Sequence, residues 1–262
     1  MGVGVAVTPQ SVLTAHYLVL GASAIHVGGF DGRERPVRGA TIDHETGFAL
    51  LKVDGPELRP SPLAATGHLA PGSPVFLLTC QNETERKGAS GHVIVVGPFE
   101  AFWEYMLDNA IMTTVINPGL AGAPLFDSDG RLVGIVSLGL SAVGRYSLAI
   151  PIDLFLERRA EMEAGERSPA RPPRAWVGFY PQAFDGGVAV TGVVAGGPAE
   201  KAGITRGDLL LSVDGQTVGS LRDLYEALWK KGPGEVVGFQ VLRDSAILVV
   251  EVTAGDRDAF YK

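Results

Sequence analysis

The run Ile116-Asn117-Pro118-Gly119-Leu120-Ala121-Gly122-Ala123-Pro124-Leu125 decides how the rest of the chain is read. It is a stretch of turn residues set between apolar runs, Met112–Val115 before it and Leu132–Ser137 after it. The runs Gly2–Val7, Val12–Leu13, Ala24–Val27, Phe48–Val53, Val75–Leu78 and His92–Val96 precede these at short spacing, separated by Gly, Pro and Asp. Short apolar runs with such punctuation read as a β-barrel or sandwich. The 262 residues, with 46% hydrophobic side chains, 35 glycines and 17 prolines, allow one large β domain and a smaller one.

The composition also excludes some classes. A net charge of −7 with no Lys/Arg run argues against nucleic acid as a partner, because phosphate binding needs a concentrated basic face. The single cysteine, Cys80, rules out an intrachain disulfide and reads as a buried thiol after Val75–Leu78. The sequence has no apolar stretch of the roughly 18 residues that spanning a membrane requires. Met1-Gly2 runs directly into an apolar strand, so the reading expects that any leader or anchor is missing from this chain. His26, His68 and His92 have no Glu, Asp or Cys at ligand spacing, so neither a metal nor a cofactor is expected.

The opening run resembles the nucleophile loop of the high-temperature-requirement (HtrA/Deg) serine proteases, Ile-Asn-Pro-Gly-Asn-Ser-Gly-Gly-Pro-Leu. Ala121 stands at the serine, Leu120 at the asparagine and Ala123 at the second glycine. Val12-Leu-Thr-Ala-His-Tyr-Leu-Val-Leu-Gly-Ala22 is similar to the family's general-base segment, with Tyr17 at the histidine and His16 one residue earlier. In Ile42-Asp-His-Glu-Thr-Gly-Phe-Ala-Leu-Leu-Lys52, Gly47 stands at the triad aspartate. The resemblance implies a trypsin-like double β-barrel over residues 1–153. It also implies a helix and linker over 154–173, with helical spacing in Asp153–Ala164 and a proline-rich stretch from Gly165 to Pro173.

Beyond the linker, Arg174-Ala-Trp-Val-Gly-Phe179 resembles the carboxylate-binding loop of protease-type PDZ domains. Gly196-Gly-Pro-Ala-Glu-Lys-Ala-Gly-Ile204 and Arg206-Gly-Asp-Leu-Leu-Leu-Ser-Val-Asp-Gly215 carry that family's signature. A PDZ domain, a small α+β fold, is implied over 174–262, giving an all-β dominated chain. Successive N–H groups around Val177, Gly178 and Phe179 suit a terminal carboxylate. Arg174, Trp176, Leu224 and Leu228 complete the candidate peptide site, the last two on a helix Leu221–Lys231 capped by Ser220. Its apolar stripe reads equally as the domain's own core.

Chemistry at the three triad positions leads to a definite expectation. A phenol with an unperturbed pKa of about 10 is a poor base at neutral pH. Glycine cannot orient a base, and loss of that role alone costs about four orders of magnitude in turnover. Alanine has no hydroxyl to attack with. The chain is therefore expected not to be an enzyme: a pseudoprotease that binds polypeptide segments or C-termini as scaffold, adaptor or regulator, with an active HtrA-type relative as a candidate partner. Backbone N–H groups of Gly119 and Ala121 are expected to leave a residual oxyanion hole. His44 and Glu45 read as a solvated turn, and His16 as a loop histidine bonded to backbone or water. Two rivals stand beside this. One is a serine endopeptidase with a displaced set, His16 with Ser90 or another hydroxyl. The other is a structural protein whose PDZ groove is filled by its own chain. The aromatic run Phe99-Glu-Ala-Phe-Trp-Glu-Tyr105 reads as packing or as a partner-binding loop. By resemblance the compartment is periplasmic or membrane-tethered, and a homo-oligomer is left open.

Overall fold

Phe48–Val53 is apolar at every position but Lys52, and such a run forms a strand covered on both faces. In the computed structural model, which describes residues 1–29, 31–82, 85–139, 146–165 and 172–261, it is the central strand of the first sheet. That sheet contains β1 (Val5–Thr8), β2 (Ser11–Ala15), β3 (His26–Gly28), β4 (Glu34–Asp43) and β5 (Phe48–Val53), in the order β1-β2-β5-β4-β3. Val12, Ala49, Leu51 and Val53 form its core with Val19. Among the described residues these five strands pair as one sheet, the first half of the trypsin-like fold that the resemblance implied.

The second half of this unit does close. β6 (Pro74–Cys80), β7 (Arg86–Ala101), β8 (Tyr105–Thr113), β9 (Pro124–Asp127), β10 (Leu132–Gly139) and β11 (Ser147–Pro151) form a barrel in the order β10-β11-β8-β7-β6-β9. Ala123 and Leu125, from the end of the opening run, lie inside it with Leu77, Ile111, Val133 and Ala149. The loop is thus anchored at its C-terminal end by apolar burial, while Ile116 at the other end is exposed. Helix α1 (Asp153–Ala164) follows, burying Phe155 and Met162 and ending at Gly165 in the left-handed conformation. Asp153 lies in its first turn, where its carboxylate accepts from the Thr66 N–H at 3.1 Å. The proline-rich stretch expected as a linker falls largely on 166–171, outside the described residues.

Cys80 is half-buried at the end of β6, not enclosed as expected, because the strand runs out of the barrel core there. Its carbonyl accepts from the Leu120 N–H at 2.8 Å.

The second compact unit is a sheet of β12 (Phe179–Phe184), β13 (Gly187–Val193), β14 (Leu209–Val213), β15 (Gln216–Thr217), β16 (Val236–Arg243) and β17 (Ala246–Thr253). It also has short helices α2 (Pro198–Ala202) and α4 (Arg257–Phe260), and the longer α3 (Leu221–Leu228). Ser220 caps α3, accepting from Asp223 N–H at 3.1 Å. Phe179 and Phe239 meet edge-on at 5.7 Å in a core that includes Val188, Leu210, Leu224 and Leu228. Residues Phe99–Met106, the tip of the β7–β8 hairpin, group with this second compact unit, and α1 groups with the first.

Candidate functional site

Two loci carry the chemistry, one in each unit. In the first, β2 ends in a single 3-10 turn, His16–Leu18, which aims consecutive side chains in different directions. Tyr17 donates its hydroxyl to the Ser137 carbonyl of β10 at 2.7 Å. Burial pushes its phenol upward, only partly offset by that bond, so it is protonated at neutral pH. His16 turns the other way. Its Nδ1 lies 3.1 Å from the Gly47 carbonyl oxygen, and because a carbonyl only accepts, Nδ1 carries the proton. The His16 N–H donates to the same oxygen at 2.9 Å.

Gly47 presents that carbonyl because it closes the β4–β5 hairpin at φ +84°, a left-handed conformation that suits glycine. Asp43 shapes the same turn by accepting from the N–H groups of Glu45 and Thr46. The turn is not solvated, contrary to expectation. His44 is buried, edge-on to His16 at 5.1 Å. Asp43 and Glu45 are clamped by Arg158 of α1 at 2.8 and 2.9 Å. Helix α1 therefore packs over the turn and excludes the water that would otherwise hydrate it.

Ala121 and Gly122 lie against the end of β2. The Ala121 carbonyl accepts from Val3 N–H at 2.8 Å, and Thr14 donates its hydroxyl to the Val3 carbonyl at 2.6 Å. A Cβ on Gly122, whose φ is +85°, would stand 2.4 Å from the Val3 carbonyl oxygen. The residual oxyanion hole expected at Gly119 and Ala121 is not presented as a pair. The Gly119 N–H donates at 3.0 Å to Asn117 Oδ1, so this donor is already engaged within the loop. The loop is held by Thr79 and Asn117, both of which donate to the Leu120 carbonyl at 3.0 Å. Ser90 lies on β7, exposed and paired with Phe76. The first unit thus brings His16 and Gly47 together, while Tyr17 is engaged by Ser137.

The second locus is the loop Val177–Phe179. Gly178 takes φ +76°, which turns successive N–H groups toward one point. Val177, Gly178 and Phe179 donate at 3.1, 2.7 and 3.2 Å to a single carboxylate, that of Glu104. Glu104 is 4% exposed and itself has a left-handed backbone, φ +55°. Burial pushes its carboxyl above the ordinary range, against the pull of Arg257 and the three amides.

The other candidates around this loop have structural roles in this conformation. Arg174 lies over the Trp229 ring at 4.4 Å. Trp176 is buried between Phe260 and Tyr261, at 4.6 and 5.7 Å. Leu224 and Leu228 are wholly buried in the core, against which Met106 packs. Glu104 is the residue that sequence reasoning missed. The signal was its place in the aromatic run Phe99–Tyr105, but its partners lie some seventy residues further on. Among the described residues no group of three or more His, Cys, Asp or Glu side chains is arranged to hold a metal ion.

Comparison with known proteins finds matches to both domains. The trypsin-like peptidase domain family matches residues 2–135, and the PDZ domain family matches residues 164–254. A probable periplasmic serine endoprotease, DegP-like, from Halomonas elongata is 31% identical over 94% of this chain and 54% of its own length. A protein of the same description from Hahella chejuensis is 29% identical over 95% and 55%. The chain thus spans about half the length of the curated relatives it matches. Among solved structures, the HtrA-type protease AlgW with a decapeptide superposes with a TM-score of 0.64 at 26% identity, covering 98% of this chain and 82% of that one. These findings correct the expectation that the chain is not an enzyme, since its relatives are named serine endoproteases and its structural neighbours HtrA-type proteases. That expectation weighed three side chains, while the kinship extends over nearly the whole chain. The chain belongs to the trypsin-like peptidase domain family, with that domain followed by a PDZ domain, and it is similar in this order of domains to HtrA-type proteases.

Proposed function

We propose that the second unit recognises polypeptide C-termini or exposed segments through Val177, Gly178 and Phe179. The observation that carries this is the convergence of three backbone N–H groups on one carboxylate, an arrangement that recognises an anion without demanding a particular side chain. β12 is the end strand of its sheet, so an extended peptide has an edge to pair with. A solved structural neighbour carries a decapeptide, which supports the same use here. Titration of the full chain with a peptide library bearing free C-terminal carboxylates, and with the same library amidated, tests it. Preference for the carboxylate form is expected, and equal affinity for both would refute it.

A second reading concerns the first unit, and one contact favours it. With Nδ1–H held by the Gly47 carbonyl, the neutral form of the ring carries its lone pair on Nε2, the tautomer that a general base needs. In this reading the chain is a serine endopeptidase with a non-standard set. His16 is the base, the Gly47 carbonyl replaces the orienting carboxylate, and the attacking hydroxyl comes from a residue other than Ala121. A carbonyl brings no full negative charge, so the imidazolium formed during proton transfer is stabilised less than beside an aspartate. Incubation with unfolded casein and a fluorophosphonate probe tests it. Specific labelling lost in His16→Ala supports the set, and labelling that survives that substitution removes His16 from it.

A further inference from the structure

The three amides that define the carboxylate loop already hold a carboxylate of the same chain. We propose that Glu104 is an internal ligand of this loop, and that a peptide carboxylate binds only by displacing it together with the segment Phe99–Met106. This rests on the peptide-binding reading above and adds to it the competitor that the peptide must beat.

The contact is built and not incidental. Glu104 reaches the loop from a left-handed backbone, which a residue other than glycine adopts only where its surroundings impose it. Those surroundings are specific. Tyr225 of α3 donates its hydroxyl to the Ala101 carbonyl, and the Tyr225 hydroxyl oxygen accepts the Glu104 N–H at 3.2 Å. Arg257 donates to the Trp103 carbonyl at 2.8 Å, and Arg222 pairs with Glu100 at 3.0 Å. Met106 packs on the core that includes Leu224 and Leu228, the two positions that the sequence suggested for peptide side chains. The segment therefore takes the anion position and is anchored by Met106 against the domain's core.

Two carboxylates cannot share three amides at 2.7–3.2 Å, so binding is an exchange. The apparent dissociation constant is the intrinsic one divided by the fraction of molecules in which the segment is released. Desolvation works against the docked state, since burial disfavours the Glu104 anion, and a free C-terminus that remains partly hydrated avoids that penalty. The segment is joined at both ends to barrel strands β7 and β8, so release leaves a tethered hairpin that can return.

The test uses the full chain and a fluorescein-labelled peptide pool randomised over its C-terminal positions, as free carboxylate and as amide. Glu104→Ala is expected to tighten binding of the carboxylate pool at least tenfold, leaving the amidated pool weak. Glu104→Gln, which keeps the side chain's shape but loses its charge, is expected to fall between it and the parent, and guards against misfolding in the alanine variant. Hydrogen exchange at the Val177, Gly178 and Phe179 amides is expected to quicken in both variants. Equal affinity of parent and Glu104→Ala for the carboxylate pool overturns the competition while leaving the peptide site standing. Binding of neither pool by any variant removes the site itself and the competition with it.

Discussion

Gly178→Ala separates two costs that are usually confounded, and the structure provides its own control. Gly178 has φ +76°, and a Cβ there would stand 2.9 and 3.1 Å from Cζ2 and Cη2 of Trp176. The left-handed backbone costs a non-glycine residue roughly 1–2 kcal/mol. The ring cannot yield cheaply, because Trp176 is 4% exposed and flanked by Phe260 and Tyr261. Overpacking of that kind adds about 1–3 kcal/mol. Gly203, which closes α2 at φ +87°, has nothing within 4 Å of the same added atom, so Gly203→Ala reports the backbone cost alone. The expected result is that Gly178→Ala destabilises by about 2–5 kcal/mol and exceeds Gly203→Ala by about 1–3 kcal/mol. Urea unfolding followed by tryptophan fluorescence suits this, because Trp103, Trp176 and Trp229 all lie in the second unit. Equal shifts for the two variants would show that Trp176 moves aside freely, and would refute the claim that it fixes the loop.

Asp208 is fully buried and bonded to Arg243 at 2.6 and 2.7 Å, and to the Thr205 N–H at 2.9 Å. Burial pushes its carboxyl up, but Arg243 and Thr205 together pull it below the ordinary value of 3.8. A carboxyl depressed in the folded state contributes stability that is present above 3.8 and is lost as pH falls through its lower folded value. Asp208→Asn is therefore expected to destabilise at pH near 6 and to remove part of the loss that sets in as pH falls below the ordinary carboxyl value of 3.8, read by urea unfolding at each pH. Arg158→Met removes the guanidinium that clamps Asp43 and Glu45 beneath α1. With side chains 10–13% exposed, the loss should be about 2–4 kcal/mol, measured by hydrogen exchange in the 43–47 turn and by global unfolding of the first unit. Ala121→Ser is expected to add no fluorophosphonate label at residue 121, because the Gly119 N–H is engaged by Asn117 and Tyr17 presents a phenol bonded to Ser137. Labelling of the new serine would show that the loop rearranges when a hydroxyl is present.

What the sequence made legible was what local chemistry governs. Phe48–Val53 and Asp153–Ala164 appear with the bounds their patterns suggest, and Ser220 caps α3. β4 was missed because Glu34-Arg-Pro-Val-Arg-Gly39 carries charges, a proline and a glycine, and alternates too weakly to be seen without its partner β5. The helix expected to reach Lys231 stops at Leu228, where Trp229 leaves helical geometry and stacks on Tyr225 at 5.0 Å. Each of these follows from a few neighbouring residues or one strand pairing.

The functional contacts were hidden for a different reason: in both loci the decisive partner is a main-chain group. His16 is oriented by a glycine carbonyl, and Glu104 is held by three amides. A backbone carbonyl or N–H has no signature in a sequence, since every residue but proline offers both. Side-chain matching therefore saw Gly47 as a missing carboxylate, when its left-handed φ is what lets the bare peptide unit face the imidazole. The same applies to Gly178, where glycine is needed so that amides and not side chains meet the anion. Inserting one residue into the 43–47 turn, which keeps Gly47 but alters its φ, should uncouple His16 from Gly47 while leaving β4 and β5 paired. Loss of His16 alignment with retention of the strands, read from the imidazole's nitrogen shifts, is the expected result. An unchanged imidazole would mean that the ring is held by its packing against His44 instead.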